Sequence, residues 1–207
     1  DHLAAERDVG ALLTDVAARL AAMDPARDLE IAERLGIRFL IPSDDEWPHQ
    51  LDDLALAEPV QNRGGPPLGL WVRGPLRLGE LSSVSIVGSR SATTYGADVA
   101  AEIAAVVARA GTCVVSGAAF GIDQAAHRGA LAVGGTSVAV LACGVDRAYP
   151  SAHKSLLDHL AAEGAVVSEL RARRGAIQWG TAVAFALPMV LLVVVTVALD
   201  VAFSVQR

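Results

Sequence analysis

The feature that most constrains the fold is a series of short apolar runs whose starts lie roughly 25–28 residues apart. The runs begin near Val84, Thr112, Ser137 and Ala165. Each of the first three is followed by a stretch with helical patterning, which is typical of successive βα units. The spacing predicts an α/β fold, with a Rossmann-like parallel sheet whose crossovers are right-handed.

A sheet of this kind places the carboxyl ends of its strands at one edge, and open α/β sheets bind ligands there, at a topological switch point. The loops delivered to that edge are residues 88–90, 116–123, 143–150 and 168–169. Three of the four contain a glycine directly after the strand. Glycine lets backbone N–H groups approach a ligand, and a following helix N-terminus favours an anion. The edge is therefore a predicted phosphate site.

The net charge and the two cysteines indicate which partners and which cellular compartment to expect. The formal net charge of −6 argues against indiscriminate binding to nucleic acid, although a local basic site can exist on an acidic protein. Cys113 and Cys143 both fall in predicted buried strands, where they are expected to be small core residues in a reducing compartment. The N-terminal pattern is not that of a signal peptide, and we expect a cytoplasmic protein.

Residues 1–37 are predicted to be a small helical appendage. Residues 3–23 carry apolar side chains at helical spacing, and Asp24-Pro25 is expected to end that helix. A second short helix is predicted over residues 29–35. Helix packing alone explains this pattern, and a partner-binding role stays open.

Residues 38–170 are predicted to form the main domain. Two apolar stretches, residues 37–42 and 68–72, predict short strands that lead into it. Trp47 and Trp71 are expected to be packing anchors rather than platforms for base stacking.

Arg90 is the only cation of the first glycine loop, and it precedes a helix predicted from about Thr94 to Ala110. A guanidinium in this place could grip a phosphate through two hydrogen bonds, beside the helix N–H groups. An exposed loop arginine paired with a nearby carboxylate explains the pattern equally well.

The second and third loops carry further polar candidates. Asp123 could be an N-cap, or it could act with His127, one helical turn later, in acid–base chemistry or metal binding. The sequence provides neither a third ligand at usable spacing nor a nucleophile beside His127, so we predict no metal, no cofactor and no catalytic residue. Arg147 and Lys154 could add positive charge, and Tyr149 could stack on a base or pack under its loop.

At these residues the sequence resembles the DNA-processing protein A (DprA/Smf) family. The resemblance covers about residues 38–170, and the matching motifs are residues 85–90, 116–123 with 126–127, 139–150 and 167–169. It implies an extended Rossmann-like domain that binds single-stranded DNA in natural transformation and recombination. It further implies help in loading the RecA recombinase, no enzymatic turnover and a homodimer.

The resemblance also assigns residues to the interface. It implies that Arg90 touches DNA phosphate. It also implies that the basic residue after the Tyr-Pro motif maps onto Lys154, with His153 and Ser151 as the other candidates. With the loop candidates, the predicted DNA-binding residues are Gly88, Ser89, Arg90, Ser116, Gly117, Gly121, Asp123, Gly144, Arg147 and Lys154.

Residues 171–207 depart from the family pattern. Residues 182–199 are apolar except for Thr196, which is about the threshold length for a membrane span. Three interpretations stay open: a transmembrane anchor, a buried apolar helix or strand pair that replaces missing units, and an aberrant gene end. The first and the third put dimerisation and full activity in doubt, and a sheet left at four strands would expose an edge and an apolar face.

Two other functions compete with DNA binding. One is a nucleotide-processing enzyme of the Rossmann-like phosphoribohydrolases, although Gly134-Gly135-Thr136 precedes a predicted strand instead of following one. The other is an inactive, membrane-tethered remnant.

Overall fold

In a computed structural model of the chain, the four apolar runs are parallel strands within a six-stranded sheet. The structure describes residue 17 and residues 24–56 and 65–170. The strands are β1 (Ile37–Leu40), β2 (Leu70–Arg73), β3 (Ser83–Ser85), β4 (Cys113–Ser116), β5 (Ser137–Val140) and β6 (Ala165–Ser168). The predicted α/β, Rossmann-like fold is confirmed.

The sheet is mixed, because the two short strands predicted at residues 37–42 and 68–72 join the parallel strands and extend the sheet from four strands to six. The strand order is β1-β2-β6-β5-β4-β3, in which β3 to β6 pair in parallel. Strand β2 pairs antiparallel with β6, and β1 pairs antiparallel with β2. The two strands that precede the repeat therefore cover the edge of β6 that would otherwise expose unpaired backbone groups.

The parallel strands lie side by side in chain order, so the described part of the sheet contains no reversal between β3 and β6. The expected topological switch point is thus not found among these strands. The candidate site depends instead on how the loops at their carboxyl ends pack on one another.

In the described ranges, four α-helices and two short 3₁₀ helices precede or connect the strands. They are α1 (Pro25–Arg34), α2 (Thr94–Arg109), α3 (Ile122–Ala132) and α4 (Lys154–Glu163), with 3₁₀ helices at His49–Leu56 and Ser151–His153. Asp24 is the N-cap of α1, because its carboxylate accepts a hydrogen bond from the Arg27 N–H at 3.1 Å. Pro25 follows at a position where a helix needs no N–H donor.

Alternate residues of the strands face opposite layers. Val114, Ala139 and Val166 contact the layer formed by the four α-helices. The packing of α2 on α3 requires small residues, because a Cβ added at Gly129 would lie 2.1 Å from the Ala101 carbonyl oxygen. The two helices, which both start at the candidate edge, therefore lie in close contact with each other.

The opposite face of the sheet is covered by the first 3₁₀ helix and by Trp47, which is fully buried. The Trp47 indole N–H donates to the Asp52 carboxylate at 3.2 Å. Trp71, in β2, is also buried and contacts Phe39 with 4.5 Å between ring centroids. Both tryptophans are packing anchors, as predicted.

The two cysteines occupy different environments. Cys113 is buried in β4, as expected, and burial raises the pKa of its thiol to about 11. Cys143 is half-buried and lies beyond the end of β5, so the prediction of a strand at that position is wrong.

Several predictions fall on residues that the structure does not describe. The first predicted helix, apart from residue 17, and the whole of residues 171–207 lie outside the described ranges, and with them the proposed span at residues 182–199. Within the part of the chain that the structure describes, no helix has the length and apolar character needed to cross a membrane.

Candidate functional site

Three loops that follow parallel strands meet at one edge of the sheet. We call residues 86–93 the first loop, residues 117–121 the second loop and residues 141–150 the third loop. The first two are joined by a hydrogen bond from the Ile122 N–H to the Ser89 carbonyl oxygen at 3.2 Å. The structure therefore brings these loops together, as the βα repeat predicts.

Glycine at position 121 makes this junction possible. A Cβ added there would lie 2.2 Å from the Ser89 carbonyl oxygen and 2.9 Å from that of Arg90. The backbone φ of Gly121 is +77°, in the region that favours glycine. The first and second loops thus pack backbone against backbone.

The buried carboxylate of Asp123 forms hydrogen bonds to the backbone of the same two loops. Its carboxylate accepts hydrogen bonds from the N–H groups of Gly88 and Ala119, each at 3.3 Å. Burial raises the pKa of Asp123, while these N–H donors and the nearby charge of Arg90 oppose that rise. Because its carboxylate is buried and already bonded to both loops, Asp123 holds the site together and does not face outward as a ligand.

His127 belongs to a separate, deeper network. Its Nδ1 donates to the Ser137 hydroxyl oxygen at 2.8 Å, and that hydroxyl donates to the Val114 carbonyl at 2.7 Å. Burial lowers the pKa of His127 to about 4. Asp123 and His127 have different partners, so this geometry does not favour the acid–base pair that their spacing allowed. Among the described residues, no three His, Cys, Asp or Glu side chains are grouped to hold a metal ion.

Arg90 is exposed at the tip of the first loop. Thr93, at the end of the same loop, is the N-cap of α2, since its hydroxyl accepts a hydrogen bond from the Gly96 N–H at 3.0 Å. Within residues 24–56 and 65–170, the guanidinium of Arg90 forms no salt bridge. Of the two interpretations offered by the sequence, the structure favours a cation available to a ligand over one already paired.

The predicted serines lie at different depths. Ser89 is exposed in the first loop, and its hydroxyl oxygen accepts a hydrogen bond from the Ser91 N–H at 3.1 Å. Ser116 is buried at the end of β4, and its hydroxyl donates to the Ile86 carbonyl at 2.7 Å. Ser116 therefore joins β4 to the first loop, one layer below the exposed surface.

Glycines 88 and 117 are required by close packing. A Cβ at Gly88 would lie 2.8 Å from the Ile122 side chain, and one at Gly117 would lie 2.8 Å from a carboxylate oxygen of Asp123. Both positions therefore hold the loops in contact, whether or not they also approach a ligand.

The predicted DNA-binding residues of the third loop, Gly144 and Arg147, are less exposed than Arg90. Gly144 is buried and Arg147 is half-buried, and the Arg147 N–H donates to the Gly144 carbonyl at 3.0 Å in a tight turn. Lys154 begins α4 and forms a salt bridge with Asp158, one turn later. Asp158 also lies 3.8 Å from the guanidinium of Arg73. Lys154, the predicted DNA-binding cation after the third loop, is therefore already paired with a carboxylate.

Sequence reasoning missed His153 as a structural link between loops. It is buried after the third loop, and its Nδ1 donates to the Ala118 carbonyl in the second loop at 2.9 Å. Its ring also contacts Phe120, with 4.6 Å between ring centroids. A signal was present, because a histidine in the turn that starts a helix after a parallel strand lies at the carboxyl edge of the sheet.

The Gly-Gly-Thr segment considered for a phosphoribohydrolase lies at a different edge of the sheet. Gly134-Gly135-Thr136 connects α3 to β5, and therefore precedes the amino end of β5 at the opposite edge of the sheet. The structure does not bring it to the three loops.

Residues 38–181 match the DNA recombination-mediator protein A family, which is well over half of the chain. The chain belongs to this family. The resemblance noted from the glycine loops and the Tyr-Pro motif is thereby confirmed. The matched region includes all three loops and every predicted interface residue.

Individual family members are similar at the level of both sequence and fold. The putative DNA processing protein DprA of Mycobacterium tuberculosis is 45% identical over 148 residues, which cover 70% of this chain and 38% of that protein. Protein Smf of Synechocystis is 33% identical over 151 residues, which cover 71% of this chain and 36% of that protein. The chain thus spans little more than a third of the length of these relatives.

Two solved structures of DNA processing protein A share the fold of this chain. The X-ray structure of DNA processing protein A from Streptococcus pneumoniae superimposes with a TM-score of 0.62 at 29% identity, over 78% of this chain and 53% of that one. DNA processing protein A from Helicobacter pylori, whose single-stranded DNA binding mode has been described, shares the fold with a TM-score of 0.53 at 24% identity, over 68% of this chain and 60% of that one.

Proposed function

We propose that this chain binds single-stranded DNA at the edge formed by its three loops, as a DNA-processing protein of natural transformation and recombination. The observation that carries the proposal is Arg90, an exposed guanidinium without a salt bridge among the described residues, on a loop whose backbone is fixed by its neighbour. Such a cation binds phosphate with little dependence on base sequence.

The distribution of charge supports few phosphate contacts rather than many. The chain carries 23 acidic and 17 basic side chains, and at this edge Lys154 is already paired with Asp158. Each phosphate neutralised on a single strand contributes about −0.7 to the slope of log affinity against log salt. With one to three contacts from Arg90, Arg147 and Lys154, we expect a slope between about −0.7 and −2.

The test is fluorescence anisotropy of the full chain with labelled oligo-dT and with a duplex of equal length, over a salt series. We expect preferential, salt-sensitive binding to the single strand, which Arg90→Ala weakens at least about tenfold, because hydrogen bonds to a charged group contribute about 1.5–3 kcal/mol. The matched control is Arg109→Ala, which removes one positive charge from the last turn of α2, at the opposite end of that helix.

The proposal fails if Arg109→Ala weakens binding as much as Arg90→Ala, since net charge alone would then explain the affinity. It also fails if duplex and single strand bind equally. Release of free base from a nucleoside monophosphate, assayed in parallel, would favour the phosphoribohydrolase instead.

The family also leads us to propose two protein partners, the RecA recombinase and a second copy of this chain. A pull-down of RecA with and without oligo-dT tests the first. Sedimentation velocity of the full chain tests the second. Both experiments are separable from DNA binding, because Arg90→Ala should leave them unchanged in the absence of DNA.

A further inference from the structure

Exposed aromatic side chains gather at the same edge as Arg90. Tyr95 follows the first loop, Phe120 lies in the second loop and Tyr149 lies in the third, with exposed fractions of 65%, 47% and 45%. Aromatic side chains that are this exposed at one edge of a sheet indicate a binding surface, because a ligand that covers them buries a large apolar area.

Phe120 is the best supported of the three. Its ring contacts His153 with 4.6 Å between centroids and an interplanar angle of 65°, an edge-on arrangement that aromatic pairs prefer. His153 is itself buried and fixed by its hydrogen bond to the Ala118 carbonyl. One part of the Phe120 ring is thus held by the protein while the rest stays accessible.

The backbone on both sides of Phe120 is also constrained. Ala118 is buried with a φ of +53°, a conformation that costs a non-glycine residue roughly 1–2 kcal/mol and persists only where the surroundings enforce it. On the other side, Gly121 packs against the carbonyl oxygens of Ser89 and Arg90. Phe120 is therefore presented on a rigid loop, so that little side-chain and loop entropy is lost when a ligand binds.

The position relative to Arg90 indicates the ligand. The second loop touches the backbone of Arg90 one residue after Phe120, so a cation and an aromatic ring lie on adjoining segments. A polyanion alone would need only the cation. A flat π-system next to a phosphate is what an unpaired nucleotide offers, whereas the bases of a duplex are stacked on each other and cannot reach the ring.

We propose that Phe120, supported by His153, is a stacking platform for an unpaired nucleobase of a strand whose phosphate is bound at Arg90. The inference rests on the proposed function and extends it, since it makes base stacking, and not charge alone, the source of the preference for single strands. His153 acts through Phe120 and is a positioning residue.

The experiment compares two ligands of equal length and charge, oligo-dT and the same backbone carrying abasic sites, against full-length variants. Stacking on one base contributes roughly 1–3 kcal/mol, so Phe120→Ala should weaken binding of oligo-dT about 5- to 150-fold. Binding of the abasic strand should not change. Phe120→Trp should keep the affinity, and Phe120→Leu, which retains apolar volume without a π-face, should lose most of it. Val106→Ala, at an exposed site on α2, is the control.

Two results would overturn the inference. One is an equal loss for oligo-dT and abasic strands in Phe120→Ala, which would mean that the substitution disturbs the loop rather than a base contact. The other is full affinity of Phe120→Leu for oligo-dT. If the wild-type chain binds neither strand, the proposed function itself fails, and that outcome is distinct from wild-type binding that is indifferent to Phe120.

Discussion

The contact between the first and second loops can be tested at Gly121. In Gly121→Ala the added methyl would lie 2.2 Å from the Ser89 carbonyl oxygen, so the two backbones must separate by at least about 0.8 Å to restore 3.0 Å. Backbone atoms cannot move aside as a flexible side chain can. The substitution therefore acts directly on the geometry that fixes Arg90.

Two contributions lower the free energy of unfolding of Gly121→Ala. Alanine at a φ of +77° costs about 1–3 kcal/mol in backbone strain. Forcing an extra methyl into a packed junction costs about 1–3 kcal/mol more. We expect the free energy of unfolding to fall by about 2–6 kcal/mol, or by less if the loops relieve the clash by separating, in which case affinity for oligo-dT should fall instead.

Gly111→Ala is the matched control. Gly111 follows α2 with a φ of +80°, and a Cβ there would meet nothing within 4 Å. It therefore incurs the strain without the contact. Urea unfolding and anisotropy with oligo-dT, measured on both variants, separate the two contributions. If Gly121→Ala and Gly111→Ala lose the same stability and both keep full affinity, the argument that the loops must touch to form the site is refuted.

Two further predictions concern titration and charge. Because burial lowers the pKa of His127 from 6.5 to about 4, the fold favours its neutral form, and the free energy of unfolding should decline by about 3 kcal/mol as pH falls through that interval; urea titrations should lose this dependence in His127→Asn, and an unchanged profile would contradict it. Asp158→Asn should free Lys154 and Arg73 and tighten oligo-dT binding about two- to fivefold, whereas Glu163→Gln, at the far end of α4, should not.

The sequence predicted the repeat and its edge because both follow from local patterns. Apolar runs, a terminal glycine and helical spacing are properties of consecutive residues, and the strands near residues 84, 113, 137 and 165 appear where those patterns lie. The pairing of β2 with β6 joins segments about 95 residues apart. Nothing in the composition of Leu70–Arg73 indicates which strand it will join, so the mixed sheet could not be predicted from periodicity.

The role of Asp123 in the candidate site could not be predicted from local patterns either. Its position at a helix start suggested a cap, and its distance from His127 suggested a catalytic pair. Both interpretations use neighbours along one helix, whereas its carboxylate bonds to Gly88, which is 35 residues away. A residue whose partners come from another βα unit has a function that local spacing cannot reveal.

The buried carboxylate also shows how a negative charge can lie next to the proposed DNA-binding surface without being part of that surface. The buried Asp123 carboxylate accepts hydrogen bonds from the backbone N–H groups of Gly88 and Ala119, one in each loop. The Arg90 side chain is exposed to solvent. The carboxylate and the guanidinium therefore have separate tasks, one inside the junction and one on its surface. Affinity for a strand should follow the rigidity of the junction as closely as it follows the number of cations.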